Sequence, residues 1–197
     1  MNRARTFDPH TTLSQVVDLF SSKGYSETSM EDIVQTTGVS RYGLYGTFGN
    51  KRELFEQALE QYAEGMGKQS FLRLLEPGAS LEHVRAIFDE RVADMCCGEE
   101  NKGCLFIHTA MELAPQDEEL RGVLQRFMKR MSKAFAIGLD SAKGRGEVAK
   151  DVEVDAAGEL LTSTMFGLAV LGRTGFPKAT LDGIVDSTLE SIQAGGK

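Results

Sequence analysis

Apolar positions recur at helical spacing along the whole chain, and no stretch alternates as a strand would. Leu13, Val16, Val17 and Phe20 fall at i, i+3, i+4 and i+7, and Gly24 stops that helix. Ser29 is suited to cap a short helix from Met30 to Thr36, with Asp32 where a carboxylate meets free amides and the helix dipole; Gly38 ends it. Ser40 caps the next, Arg41 to Phe48, which Gly49 closes. Asn50-Lys51-Arg52-Glu53 has the form of a capping box and opens a longer helix with Leu54, Phe55 and Leu59 on one face. Beyond about residue 65 the spacing predicts five more helices, roughly 80–97, 102–114, 117–142, 153–172 and 178–193. Their breaks fall at Pro77-Gly78, Gly98, Ala114-Pro115, the loop Lys143-Gly144-Arg145-Gly146, and Gly175-Phe176-Pro177. The expected fold is all-α, with about nine helices.

Composition narrows the class. At 197 residues, 41% hydrophobic and 26% charged, the chain can bury a core unaided and is neither disordered, collagen-like nor a coiled coil. No apolar run approaches the roughly 18 residues of a membrane span, so no membrane partner is expected. The basic start, Met1-Asn2-Arg3-Ala4-Arg5-Thr6, has no apolar stretch behind it, as a secretory signal would. Three cysteines make no disulfide framework, and the expected compartment is the cytoplasm. A net charge of −7 argues against non-specific coating of nucleic acid but permits a local DNA-reading element. All four tyrosines lie at or before Tyr62, whereas six of eight methionines and seven of eleven phenylalanines lie after it. The expected division is residues 1–62 and 63–197.

Two short capped helices joined by Gly38-Val39, with a third helix before them, form a helix-turn-helix whose second short helix would enter a major groove. The run Thr28-Ser29-Met30-Glu31-Asp32-Ile33-Val34, then Thr37-Gly38-Val39-Ser40-Arg41, then Leu44-Tyr45-Gly46-Thr47-Phe48-Gly49-Asn50-Lys51-Arg52-Glu53-Leu54-Phe55, resembles the DNA-binding domain of the TetR (tetracycline repressor) family. The likeness covers about residues 8–62; Gly103-Cys104-Leu105 and Ala110-Met111-Glu112-Leu113-Ala114-Pro115 resemble one subset of the family's regulatory domains. It implies a dimeric transcription regulator, not an enzyme and with no cofactor. Such a regulator binds an inverted-repeat operator in double-stranded DNA and is released by a small-molecule effector.

On that resemblance Tyr45, Thr47 and Lys51 stand where the family contacts phosphate, and Thr28 is similar to its other phosphate anchor. Lys51 also opens a helix, whose free amides can meet a phosphate. Arg41 is suited to a bidentate contact with guanine. Tyr42 departs from the small residue common in the family, Gly43 is smaller than usual, and Gly46 brings backbone close to DNA. The candidate DNA-contacting set is Thr28, Ser40, Arg41, Tyr42, Tyr45, Gly46, Thr47 and Lys51, with Leu44 and Phe48 in the core.

Residues 155–172 and 181–192 carry apolar residues among small ones at helical spacing, as a four-helix homodimer interface would need. Phe88, Met95, Phe106, His108, Met111, Phe127, Met131, Met165 and Phe166 are candidates for an effector pocket, though such residues are more often plain core. Cys104, His108 and Glu112 lie four apart on one helical face, shortly after Cys96 and Cys97. Cys104 and His108 therefore admit three readings: burial, oxidant or electrophile sensing, and metal sensing. Two rival functions remain: an enzyme using His108 and Glu112 as an acid–base pair, which lacks any phosphate loop, nucleophile elbow or paired metal motif, and a helical binding module that no longer reads DNA.

Overall fold

The structure, a computed structural model, describes residues 7–68, 71–97 and 103–195. Among them are ten helices: α1 (Pro9–Lys23), α2 (Met30–Thr37), α3 (Arg41–Phe48), α4 (Lys51–Lys68), α5 (Leu72–Leu75), α6 (Leu81–Cys97), α7 (Leu105–Glu112), α8 (Glu118–Gly144), α9 (Val154–Arg173) and α10 (Lys178–Glu190). An isolated bridge between Val148 and Gln193 is the sole β-type pairing in the described residues. The all-α expectation holds, and the single-turn α5, just before Pro77-Gly78, is an addition to it. The start, residues 1–6, and the break expected at Gly98 lie outside the described residues.

The helices gather into two compact units that do not follow one cut in the chain. The first combines Met1–Gly65 with Cys104–Arg121; the second combines Met66–Gly103 with Gly122–Lys197. In the first, α1 opens on Asp8, whose side chain accepts from the Thr11 amide, with Pro9 at its first position. Its buried face brings Phe20 edge-on to Phe55 at 5.0 Å between ring centroids, and Tyr25 meets the same Phe55 edge-on at 4.9 Å. Val16, Ile33, Leu44, Leu54 and Leu59 complete this core with 0 or 1% exposure, each burial stabilising by roughly 1.5–3 kcal/mol. Helix α7 joins it by packing against α1, through buried Leu105, Phe106 and Thr109.

The second unit is a bundle in which α6 packs on α9 and α10, and α9 on α10. Phe135 is its centre, stacked on Phe88 at 5.8 Å and edge-on to Phe71 at 5.1 Å. Helices α8 and α9 cross closely at Gly158, where an added Cβ would overlap the Ser132 carbonyl oxygen and press on the Ala136 amide. Helix α9 is long and apolar enough to span a membrane by length and composition alone, with a mean hydropathy of 1.3 over an 18-residue window, although it holds no unbroken apolar run of that length. Polar Thr and Ser interrupt the run and hide it from a count of consecutive apolar residues; Ala157, Leu161, Met165 and Leu168 of this helix are packed in the core.

Candidate nucleic-acid interface

The turn from α2 to α3 is fixed by short-range polar bonds. The Ser29 hydroxyl accepts from the Asp32 amide at 3.1 Å, and the Asp32 carboxylate accepts from the Ser29 amide at 2.8 Å, closing a capping box. Lys23 Nζ lies 2.9 Å from the other Asp32 oxygen. Lys23 and then Ser29 hold the Asp32 carboxyl far below the usual carboxylate range. Gly38, at φ 67° and ψ 5°, takes the left-handed conformation that reverses the chain, and its amide donates to Val34 O at 2.9 Å. Ser40 starts α3 by accepting from the Gly43 amide at 3.1 Å. A side chain at Gly43 would crowd Val39 and Phe7, which accounts for the small residue there.

Helix α3 has only two turns, and its faces are cleanly divided. Leu44 and Phe48 point inward. Arg41, Tyr42, Tyr45, Gly46 and Thr47 are all exposed, Tyr42 at 90% and Tyr45 at 45%. A Cβ at Gly46 would meet nothing within 4 Å, so this helix surface is open to a close partner. The Arg41 guanidinium is ion-paired with Glu31 of α2. Directly after α3, the Asn50 side chain accepts from the Arg52 and Glu53 amides at 2.8 and 3.1 Å, and Glu53 accepts from the Asn50 amide at 2.7 Å. This capping box sets Lys51 at the start of α4, with Nζ 4.2 Å from the centre of the Tyr25 ring. Burial lowers the Lys51 pKa, while the charges of Glu112 and Asp32 pull it back up.

Thr28 differs from the other candidates. It is fully buried, and its hydroxyl donates to Gly24 O at 2.6 Å, so its side chain braces the α1–α2 turn. The remaining seven members of the candidate set run from the N-cap of α3 to the first residue of α4.

The effector-pocket candidates divide between the units. Phe106, His108 and Met111 belong to the first, where Phe106 meets the Tyr62 ring at 5.2 Å. Met111 is 75% exposed, because it lies on the outer face of α7 while Leu105 and Thr109 take the inner one. Phe88, Met131 and Met165 are core residues of the second unit, with Met95, Phe127 and Phe166 packed against that core. Cys104 is buried at the N-cap of α7, and the Tyr62 hydroxyl donates to its Sγ at 3.6 Å. Cys96 is exposed; the Cys97 side chain lies outside the described residues. Among the described residues no three His, Cys, Asp or Glu gather as metal ligands, so Cys104 and His108 acquire no third donor for the metal reading.

Two carboxylates from a distant part of the chain, Glu112 and Asp117, bind the α1–α2 turn and the start of α4 respectively, and local spacing reports neither contact. Glu112 accepts from the Ser26 amide at 3.0 Å, and Asp117 pairs with Arg52 at 2.5 Å.

Residues 13–58 match the family described as bacterial regulatory proteins of the tetR type, and residues 80–180 match the tetracyclin repressor-like C-terminal domain. The HTH-type transcriptional regulator YezE of Bacillus subtilis is 33% identical over 193 residues, covering 98% of this chain and all of that protein. The HTH-type transcriptional repressor ComR of Escherichia coli is 26% identical, covering 95% of this chain and 90% of its own. A cysteine-substituted form of the TetR family regulator CifR, solved with a 26-base-pair operator DNA, superposes with a TM-score of 0.82 at 27% identity, covering 96% of this chain and 99% of its own.

Proposed function

Since this chain belongs to the TetR family of bacterial transcriptional regulators, we propose that it binds an inverted-repeat operator as a homodimer and represses until a small molecule releases it. The observation that carries the DNA reading is the division of α3. Leu44 and Phe48 anchor it, while Arg41, Tyr42, Tyr45 and Thr47 stand outward beside a glycine that obstructs nothing. On this reading Tyr45, Thr47, Ser40 and Lys51 meet phosphates and set register, and Arg41 and Tyr42 meet base edges. ComR, a similar protein, is a transcriptional repressor, and CifR was solved bound to operator DNA.

For the dimer, Leu160, Ser163, Gly167 and Val170 form one exposed, mostly apolar stripe on α9. A second copy of the same stripe would cover it in a two-fold contact. Two recognition helices would then read half-sites about 34–36 Å apart or a multiple of that. The effector acts by binding better to a form with misplaced recognition helices, and shifts DNA affinity only by that difference. The methionine- and phenylalanine-rich second unit suits an apolar effector. The cytoplasm is the compartment this function requires.

The test is selection of sites by the purified protein from a random duplex library at near-physiological salt. The expected result is an enriched inverted repeat whose binding weakens in Arg41→Ala and Tyr42→Ala; no enrichment would favour the module that does not read DNA.

A second reading concerns Cys104, whose sulfur at a helix N-cap accepts a hydrogen bond from Tyr62. On this reading an oxidant or electrophile modifies that sulfur and so alters DNA binding. Cys104→Ser is expected to abolish release of DNA by such agents and Cys96→Ser to leave it intact; equal responses would reject the reading.

A further inference from the structure

Helix α7 ends against the α1–α2 turn, within the same compact unit. The Glu112 carboxylate, in its last turn, has one oxygen 3.0 Å from the Ser26 amide and the other 3.3 Å from His108 Nδ1. It lies directly over Gly24, where any Cβ would overlap it, and Gly24 itself has φ 82°. The turn so held leads to Thr28, whose hydroxyl closes back on Gly24 O, and carries Tyr25, the ring beneath Lys51 Nζ. Five residues after Glu112, Asp117 pairs with Arg52, the neighbour of Lys51, and Arg52 also binds Glu56 at 2.6 Å. Two carboxylates on one short segment thus grip both pieces of chain that flank α2 and α3.

We propose that Glu112 is a positioning residue for DNA binding, clamping the α1–α2 turn so that Tyr25 and Lys51 are held in register with the recognition helix. The proposal rests on the DNA-reading function above. The bond to Ser26 is charge-assisted, and a fixed backbone amide is its donor, so the clamp is directional rather than a loose charge contact. A negative group close to Lys51 also offsets part of the lowering that burial imposes on the pKa of that cation. Asp117 is the second arm, acting on Arg52 rather than on the turn.

The experiment compares Glu112→Ala, Glu112→Gln and Glu112→Asp in the full-length protein. It measures binding to the selected operator across a salt series, and exchange of the Ser26 amide by NMR. Glu112→Gln keeps an oxygen for Ser26 and is expected to retain Ser26 protection and most of the affinity. Glu112→Ala is expected to lose the protection and about tenfold in affinity, the scale of one charge-assisted hydrogen bond. Its salt slope is expected to be shallower by about 0.9 for each phosphate that Lys51 no longer neutralises. Glu112→Asp keeps charge but not reach and should behave as Glu112→Ala, which covers the case in which alanine does not fold. Unchanged affinity and slope in Glu112→Ala would overturn the proposal, as would equal losses in all three variants with Ser26 still protected. If the unsubstituted protein binds no duplex, the DNA reading itself falls and this role with it; Ser26 exchange would still report whether the clamp exists.

Discussion

Arg41, at the first position of α3, is ion-paired to Glu31 in the first turn of α2. Both side chains are more than half exposed, 52% and 67%, so the pair contributes little to stability, about 0–1 kcal/mol. Its consequence is for binding: on the proposed reading Arg41 must leave a carboxylate to reach a base, and a carboxylate beside the recognition helix would repel phosphates. Glu31→Gln is therefore expected to tighten operator binding by roughly two- to fivefold with little change in thermal midpoint. Fluorescence anisotropy of a labelled duplex measures it, and weaker binding would contradict the argument.

Tyr42 projects almost wholly into solvent. Tyr42→Ala is expected to leave folding stability within about 0.5 kcal/mol, as for a surface position outside any core. Operator affinity is expected to fall by about tenfold, within the 1–3 kcal/mol scale of a base contact. Repeating the site selection with this variant would show which base pair loses its preference. An unaltered consensus would remove Tyr42 from base reading.

Asp32 ties acid stability to the reading head. Lys23 and Ser29 lower its pKa in the folded state relative to about 3.9 in the unfolded chain. Its contribution is therefore fully present above the unfolded value and is lost as pH falls through the folded one. Denaturant midpoints measured from pH 6 down to pH 2 should fall in the native chain. In Asp32→Asn the stability should be lower at pH 6 and the acid slope flatter. Parallel curves for the two proteins would refute this.

In the second unit, Gly158→Ala is expected to destabilise by about 1–3 kcal/mol, since the new methyl meets backbone of α8 rather than a flexible side chain. Gly65→Ala in α4, where nothing lies within 4 Å, is expected to cost nothing and to add helix propensity. Chemical denaturation of the two variants decides it.

The caps were legible in the sequence because they are local: Ser29 with Asp32, Ser40 with Gly43, Asn50 with Glu53 and the left-handed Gly38 each act within four residues. The inward turn of Leu44 and Phe48 followed from spacing alone. Thr28 differs: its bond to Gly24 O spans only four residues, but its complete burial depends on what the fold packs around the α1–α2 turn, which spacing does not report. The last helix ends at Glu190 rather than near 193 because Ile192 O accepts from Ala149 N, at 3.0 Å, outside any helical repeat. Met111 shares the 3.6-residue period of α7, but the period does not say which face the fold covers. Spacing makes Glu112 a partner for His108, and that contact exists; its grip on Ser26 spans 86 residues and depends on tertiary packing.

The head that reads DNA is closed by residues 104–121, although the first stretch of its chain, with the helices α1 to α3, ends at residue 65. During synthesis those first helices leave the ribosome with the α7 side of their core still uncovered. The missing 56 residues, from 65 to 121, take about 3–11 s to add at 5–20 residues per second. For that interval the nascent chain presents Phe20 and its neighbours without the packing of Leu105 and Phe106, so a chain broken off before residue 121 yields a head that lacks one of its walls.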